Sequence, residues 1–242
     1  MRLTDVTPVV REALRIYREQ AAAVLLPGVV LFLAIGLPIA VLGEVPAKSG
    51  GDVLLRLGAA SLDLLASYLY YGYVDDVAQE ARGGGAVGIR RTLARAVPVV
   101  PALIAGSVLV SLGIVLGLLL LVLPGVWLAT RMAVLLPAIS IERLGPIEAI
   151  RRSSRLVKGS FGPVLVTVTL AVLLEEVIGD GLEDLAGELA PEELWSGYAQ
   201  ILCRQVTYAV ANIFLAPLAG LIMATTYFRL REAGHGQTAG GH

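Results

Sequence analysis

Histidine and cysteine are nearly missing from this sequence. Its 242 residues hold one cysteine, Cys203, and two histidines, so neither an intrachain disulfide nor a thiolate metal cluster can be built. Both histidines, His235 and His242, lie in a glycine-rich C-terminal tail. The body therefore has no imidazole for acid–base work or metal binding. Charge is also scarce: Lys, Arg, Asp and Glu make up 16% of the chain, against about 25% in an ordinary soluble domain. The net charge is −1, so no basic field exists to attract nucleic acid. Catalytic residues, a metal site and a cofactor are not expected, and Cys203 reads as a small apolar filler.

What the chain has instead is apolar surface. Hydrophobic residues make up 56% of it, enough for six spans of about 20 residues. That excludes a soluble globular enzyme and a disordered chain. The fold class expected is an all-α integral membrane protein, a single polytopic domain over 1–242 with spans at about 21–42, 53–74, 98–123, 126–141, 161–178 and 205–228. Pro27 and Pro38 sit near the two ends of the first span, where a kink costs less than at the centre. Tyr68, Tyr70, Tyr71 and Tyr73 close the second and read as an interfacial aromatic belt. Pro124-Gly125 is expected to turn the chain tightly into the fourth span, with Trp127 at its mouth. Glu175-Glu176 reads as the interfacial end of the fifth, and the acidic stretch 180–193 as the solvated face of a surface helix. The tail 229–242 is expected to be flexible.

Ahead of the first span, Val6, Val9, Val10, Ala13, Leu14 and Tyr17 recur at helical spacing, opposite Arg11, Glu12, Arg15 and Arg18. Such a helix, 5–19, is expected to lie along the bilayer and bury its apolar stripe among headgroups. The segments bearing Arg90, Arg91 and Arg95, and Arg151, Arg152, Arg155 and Lys158, have the same character. Each precedes a pair of spans, marked by Val10-Arg11, Ile89-Arg90-Arg91 and Ile150-Arg151-Arg152, which reads either as a threefold repeat of basic helix plus hairpin or as the arginines any multipass chain places on its cytoplasmic loops. Fifteen of the 19 basic residues fall at the termini or in the 75–97 and 143–160 loops. The positive-inside bias then places both termini and all three basic helices in the cytoplasm. Arg11, Arg15, Arg90, Arg91, Arg151 and Arg152 would meet the anionic inner leaflet, at about 1 kcal/mol each. Ala102, Gly106, Ser107, Ser111, Gly113 and Gly117 line the third span with small residues, which reads as close helix packing, inside one chain or between two copies.

The run Leu123-Pro124-Gly125-Val126-Trp127-Leu128-Ala129-Thr130-Arg131 leads to Pro137-Ala138-Ile139 and Glu142. Gly145-Pro146-Ile147-Glu148-Ala149-Ile150-Arg151-Arg152-Ser153 follows, and Leu156-Val157-Lys158-Gly159-Ser160-Phe161 completes the block. This block resembles the bacterial glycerophosphoryl diester phosphodiesterase membrane-domain family, and Thr226-Tyr227-Phe228-Arg229-Leu230-Arg231 is similar to its closing signature. The resemblance implies the membrane module alone, in a bacterial cytoplasmic membrane. The barrel that carries hydrolysis in fused members would need about 200 to 250 further residues and a metal-ligand set.

Charge inside a span is costly and marks a candidate site. Asp63 lies about 15 Å into the second span and Arg131 about 8 Å into the fourth. Arg56 is seven residues from Asp63, roughly on one helix face. Arg204, Tyr208 and Asn212 form a stripe at four-residue steps on the last span. An ion pair of Asp63 with Arg56 or Arg131, and helix–helix hydrogen bonds from the stripe, are the structural readings. The functional one is an outward-facing polar site for a phosphate or headgroup. The expected function is thus a non-enzymatic module that docks a partner or handles lipid or a small anionic solute. The alternative is a secondary transporter or channel, with Asp63, Arg131 and Arg204 along a polar path. An intramembrane hydrolase lacks a nucleophile–base pair.

Overall fold

A computed structural model describes residue 2 and residues 5–44, 49–85, 87–120, 122–189 and 197–239. Among them every regular element is a helix: α1 (Val6–Glu19), α2 (Ala21–Val29), α3 (Leu37–Glu44), α4 (Gly50–Arg82), α5 (Ile89–Ala96), α6 (Val100–Leu120), α7 (Val122–Met132), α8 (Leu135–Glu142), α9 (Pro146–Val157), α10 (Phe161–Val172), α11 (Ile178–Leu189) and α12 (Gly197–Ala239). A π-helical segment, Val30–Gly36, joins α2 to α3, and a second, Leu173–Val177, joins α10 to α11.

Five helical stretches are long and apolar enough to cross a bilayer: Ala21–Leu42, Gly50–Arg82, Ile89–Gly117, Leu123–Glu142 and Ala199–Ala233. Pro146–Val157 and Phe161–Glu175 qualify only as a pair, bent by 115°. Side chains such as Leu119 and Leu123, 76% and 81% exposed, suit a lipid solvent and not water. These features suggest a membrane protein. Packing converges on α12, which touches α1, α2, α4, α8, α9, α10 and α11. At 33 residues, α4 is about 50 Å long, more than the roughly 30 Å of hydrocarbon. Its C-terminal turns therefore extend toward the polar end of the bundle.

Proline accounts for the shape of the first span. Pro27 has no N–H to give to the Ala23 carbonyl four residues back. Tyr73 Oη donates to that carbonyl at 2.7 Å instead, and Tyr70 Oη donates to the Val24 carbonyl at 3.0 Å. Gly28 admits the second phenol, since a Cβ there would meet Tyr70 Oη at 3.0 Å. Tyr70 and Tyr73 are thus buried, at 4% and 0% exposure. They are not part of an interfacial belt; they satisfy carbonyls that hydrocarbon cannot. Further on, Leu37 N–H bonds to Phe32 O five residues back, and the widened turn ends directly before Pro38, which also lacks a donor.

The third and fourth spans form the hairpin expected, but its corner is displaced. α7 already begins at Val122, so Pro124-Gly125 lies inside its first turn, where a missing N–H breaks no bond. Gly113 and Gly117 bring the two helices together. A Cβ on Gly113 would lie 2.9 Å from Leu128 Cδ2, and one on Gly117 would lie 3.0 Å from both Cα and N of Gly125. The glycines of the small-residue stripe therefore serve packing within one chain. A turn at Ala133 and Val134 separates α7 from α8, because Pro137 cannot bond back to the Ala133 carbonyl.

Three further expectations are corrected. The fifth span does not stop at Glu175-Glu176: the helix widens into the π segment and continues as α11 to Leu189. There α11 packs along α12, while Asp184, its side chain 75% exposed, and Glu188 face outward as the expected solvated acidic face; residues 190–196 lie outside the described ones. Helix α12 runs on to Ala239 where a flexible tail was expected, held in register by contacts of Arg229 and Glu232. Lastly, α1 does not bury its stripe among headgroups. Val9, Ala13 and Ile16 are 0–1% exposed, pressed on α12 and α2, because a neighbouring helix removes them from water and packs them more densely than lipid would.

Candidate functional site

The polar end of the bundle is where α1, α5 and α9 lie, each burying one face. α5 buries Thr92 and Ala96, and α9 buries Ala149, Ser153 and Val157. Acidic residues at the ends of the long helices clamp these three elements in place. Glu12 of α1 receives Arg82 of α4 at 3.0 Å and Arg229 of α12 at 2.9 Å. Arg82 also pairs with Glu232 and lies 4.6 Å from the Phe228 ring centroid. Glu80 of α4 holds Arg95 and accepts from Thr92 Oγ1 of α5 at 3.1 Å. Asp76, only 2% exposed, accepts two bonds from Arg143 Nη2, at 2.8 and 2.9 Å, while Arg143 Nη1 donates to the Arg95 carbonyl. Glu142 receives Arg152 Nε and Nη2 at 2.8 to 3.0 Å and the Tyr227 hydroxyl.

Arg152 is therefore not one of the cations offered to the membrane. It is half-buried and committed to Glu142, whereas Arg11, Arg15, Arg90, Arg91, Arg151 and Arg155 are exposed. Sequence spacing cannot separate Arg152 from Arg151, because the difference is a carboxylate contributed by α8. Leu14, Leu93 and Ile147, exposed at the same three helices, accompany those cations.

Beside α9 a groove of about 870 Å³ is lined by Arg151, Arg152, Ser154, Arg155, Glu142 and Glu148 together with Met132, Leu144 and Ile150. Glu142 is neutralised by Arg152, and Glu148 sits in the first turn of α9, where a negative charge complements the helix dipole. Arg151 and Arg155, one turn apart, are left exposed and in no ion pair among the described residues.

The sequence candidates do not converge. Arg131 lies over Trp127, 4.6 Å from its ring centroid, and its carbonyl accepts from Ser153 Oγ of α9 at 2.8 Å. Arg204 pairs with Asp184 of α11 at 3.7 Å. Arg56 is on α4 with Asp63, whose side chain lies outside the described residues. Only Tyr208 and Asn212 reach a shared space, a cavity of about 220 Å³ that also contains Glu175, Tyr71, Gln205, Ser67 and Phe32. None of Arg56, Arg131 and Arg204 lines it, so that cavity is acidic and not the anion site expected. The reason lies in helix rotation: Arg204 is four residues from Tyr208, but α11 draws its guanidinium to Asp184. Glu175, read as an interface marker, points inward and accepts from Tyr71 Oη at 2.7 Å. No family model matches the chain, and neither does any curated protein or solved structure.

Proposed function

We propose that this protein is a non-enzymatic multipass module of a bacterial cytoplasmic membrane that holds anionic lipid headgroups in the groove along α9. The observation that supports it is the pair of exposed guanidiniums, Arg151 and Arg155, flanking Ser154 in a groove that Met132, Leu144 and Ile150 also line. Guanidinium and hydroxyl donors match phosphate oxygens, and the apolar lining residues suit the start of acyl chains. The reading keeps six spans, counting the bent pair's second limb as the fifth, with both termini and the three basic helices in the cytoplasm, as the positive-inside bias requires. It agrees with the resemblance to a phosphodiesterase membrane module and needs no hydrolytic residues. A docked protein or a second copy would use the same exposed basic helices. The transporter alternative has less support, since Arg131 and Arg204 are held in separate contacts.

Native mass spectrometry of the detergent-solubilised chain tests it. Wild type is expected to retain phosphatidylglycerol in preference to phosphatidylcholine, and Arg151→Ala/Arg155→Ala to lose the preference while remaining helical. Equal retention of both lipids by wild type, or an unchanged preference in the folded double variant, overturns the proposal.

A further inference from the structure

The cavity between the first, second, fifth and last long helical runs is a separate place with the opposite charge. It lies where both π-helical segments meet the interior: Phe32 and Gly36 come from Val30–Gly36, and Glu175 comes from Leu173–Val177. A π turn inserts a residue, widens the helix and re-aims its side chains; such turns are frequent at functional sites. Here each one presents part of a single wall. The side chains that matter are Glu175, Phe32, Tyr71, Tyr208, Gln205 and Asn212, and the lining contains no lysine, arginine or histidine.

We propose that this cavity binds a small organic cation of the alkylammonium type. Charge comes first. Glu175 is the acidic group among the lining residues, and no lysine, arginine or histidine is among them, so the chemistry of the lining suits a cation and not an anion. Shape and surface come second: three aromatic rings share the wall, and ring faces attract ammonium groups by their quadrupole. Tyr71 donates to Glu175 Oε1 and so fixes the carboxylate within the ring of aromatics. Asn212 Nδ2 donates to the Tyr208 carbonyl at 3.1 Å. That engages one of the amide's two N–H groups with its own helix, and its oxygen is an acceptor it can offer to an N–H. Size comes third. About 220 Å³ falls below the roughly 300 Å³ at which drug-sized pockets begin, which limits the ligand to a few heavy atoms around the charge. Glutamate, two carboxamides and phenols are expensive at a membrane interior, and the oxygen-rich wall they form suits a cationic ligand.

The test uses the full chain in nanodiscs of neutral lipid, with tetramethylammonium chloride as the probe and sodium chloride at equal ionic strength as the reference. Calorimetric titration is expected to show saturable binding of tetramethylammonium alone. Glu175→Gln is expected to weaken it at least tenfold. Tyr208→Leu removes one ring face and is expected to weaken binding about 2- to 30-fold, the range of one cation–π contact. Ala40→Leu, which fills space in the same wall, is expected to abolish binding with the carboxylate intact. The two latter variants decide the matter if Glu175→Gln does not fold. No saturable binding, a response equal to that of sodium, or unchanged binding in the folded variants overturns the proposal. The groove along α9 is not involved: Arg151→Ala/Arg155→Ala should bind tetramethylammonium as wild type does.

Discussion

Tyr73→Phe isolates a single hydrogen bond whose partner was freed by a proline. The phenol is fully buried and its hydroxyl donates to the Ala23 carbonyl at 2.7 Å, the acceptor that Pro27 leaves unmatched. Phenylalanine keeps the ring and its stacking on Tyr70, with centroids 6.5 Å apart, so packing is unchanged. The loss is then an orphaned acceptor in a dry interior, about 1–3 kcal/mol. Pro27→Ala restores an N–H at the position that addresses the same carbonyl. In that background, Tyr73→Phe should cost less by about 1 kcal/mol or more. Four variants unfolded reversibly in mixed micelles, followed by helical circular dichroism, give the double-mutant cycle. If the cost of Tyr73→Phe is equal in both backgrounds, within the roughly 0.5 kcal/mol expected of independent sites, the proline account is wrong.

Other expectations are simpler. Gly117→Val places a Cβ 3.0 Å from the backbone of Gly125, where nothing flexible can move aside, so the α6–α7 hairpin should lose about 1–3 kcal/mol; thermal unfolding measures it, and an unchanged midpoint refutes the close approach. Asp75 and Asp76 are neighbours of opposite consequence. Asp75 is 3% exposed beside Ser140 with no cationic partner among the described residues, so burial disfavours its ionised form and Asp75→Asn, which keeps the shape without an ionisable group, should be neutral or stabilising. Asp76→Asn should destabilise by about 1–3 kcal/mol, because it removes the charge and replaces one of the two oxygens that accept from Arg143 with a donor. Equal effects of the two substitutions in the same unfolding assay would contradict the assignment of partners.

Much of the helical plan was legible in the chain because it rests on local properties. Apolar runs of membrane length, the four-residue spacing of Val9 and Ala13, and glycines at Gly113 and Gly117 are all readable along one dimension. The site was not, because side-chain partners come from helices distant in sequence. Tyr70 and Tyr73 looked like an interfacial pair until α2 supplied carbonyls 46 and 50 residues away. Glu175 looked like a helix end, and the missing signal was Tyr71, 104 residues earlier. Pro38 and Pro27 were visible as places where the ladder of hydrogen bonds must adjust, yet nothing local specified a π turn between them.

Composition alone pointed toward a membrane protein: with 16% charge and 56% hydrophobic residues, the chain forms several helices long and apolar enough to cross a bilayer. Helical periodicity determined where the basic helices lie, since each must bury one face. The tertiary structure decided which charges remain available. Arg151 and Arg152 are adjacent and chemically identical, but rotation by one residue around α9 turns Arg152 into Glu142 and leaves Arg151 exposed. Likewise, Arg204 turns to Asp184 while Tyr208, one turn on, lines the acidic cavity. A residue's type is a property of the chain; its counter-charge is a property of the packing, because the interaction acts over a few ångströms in space and not along the sequence.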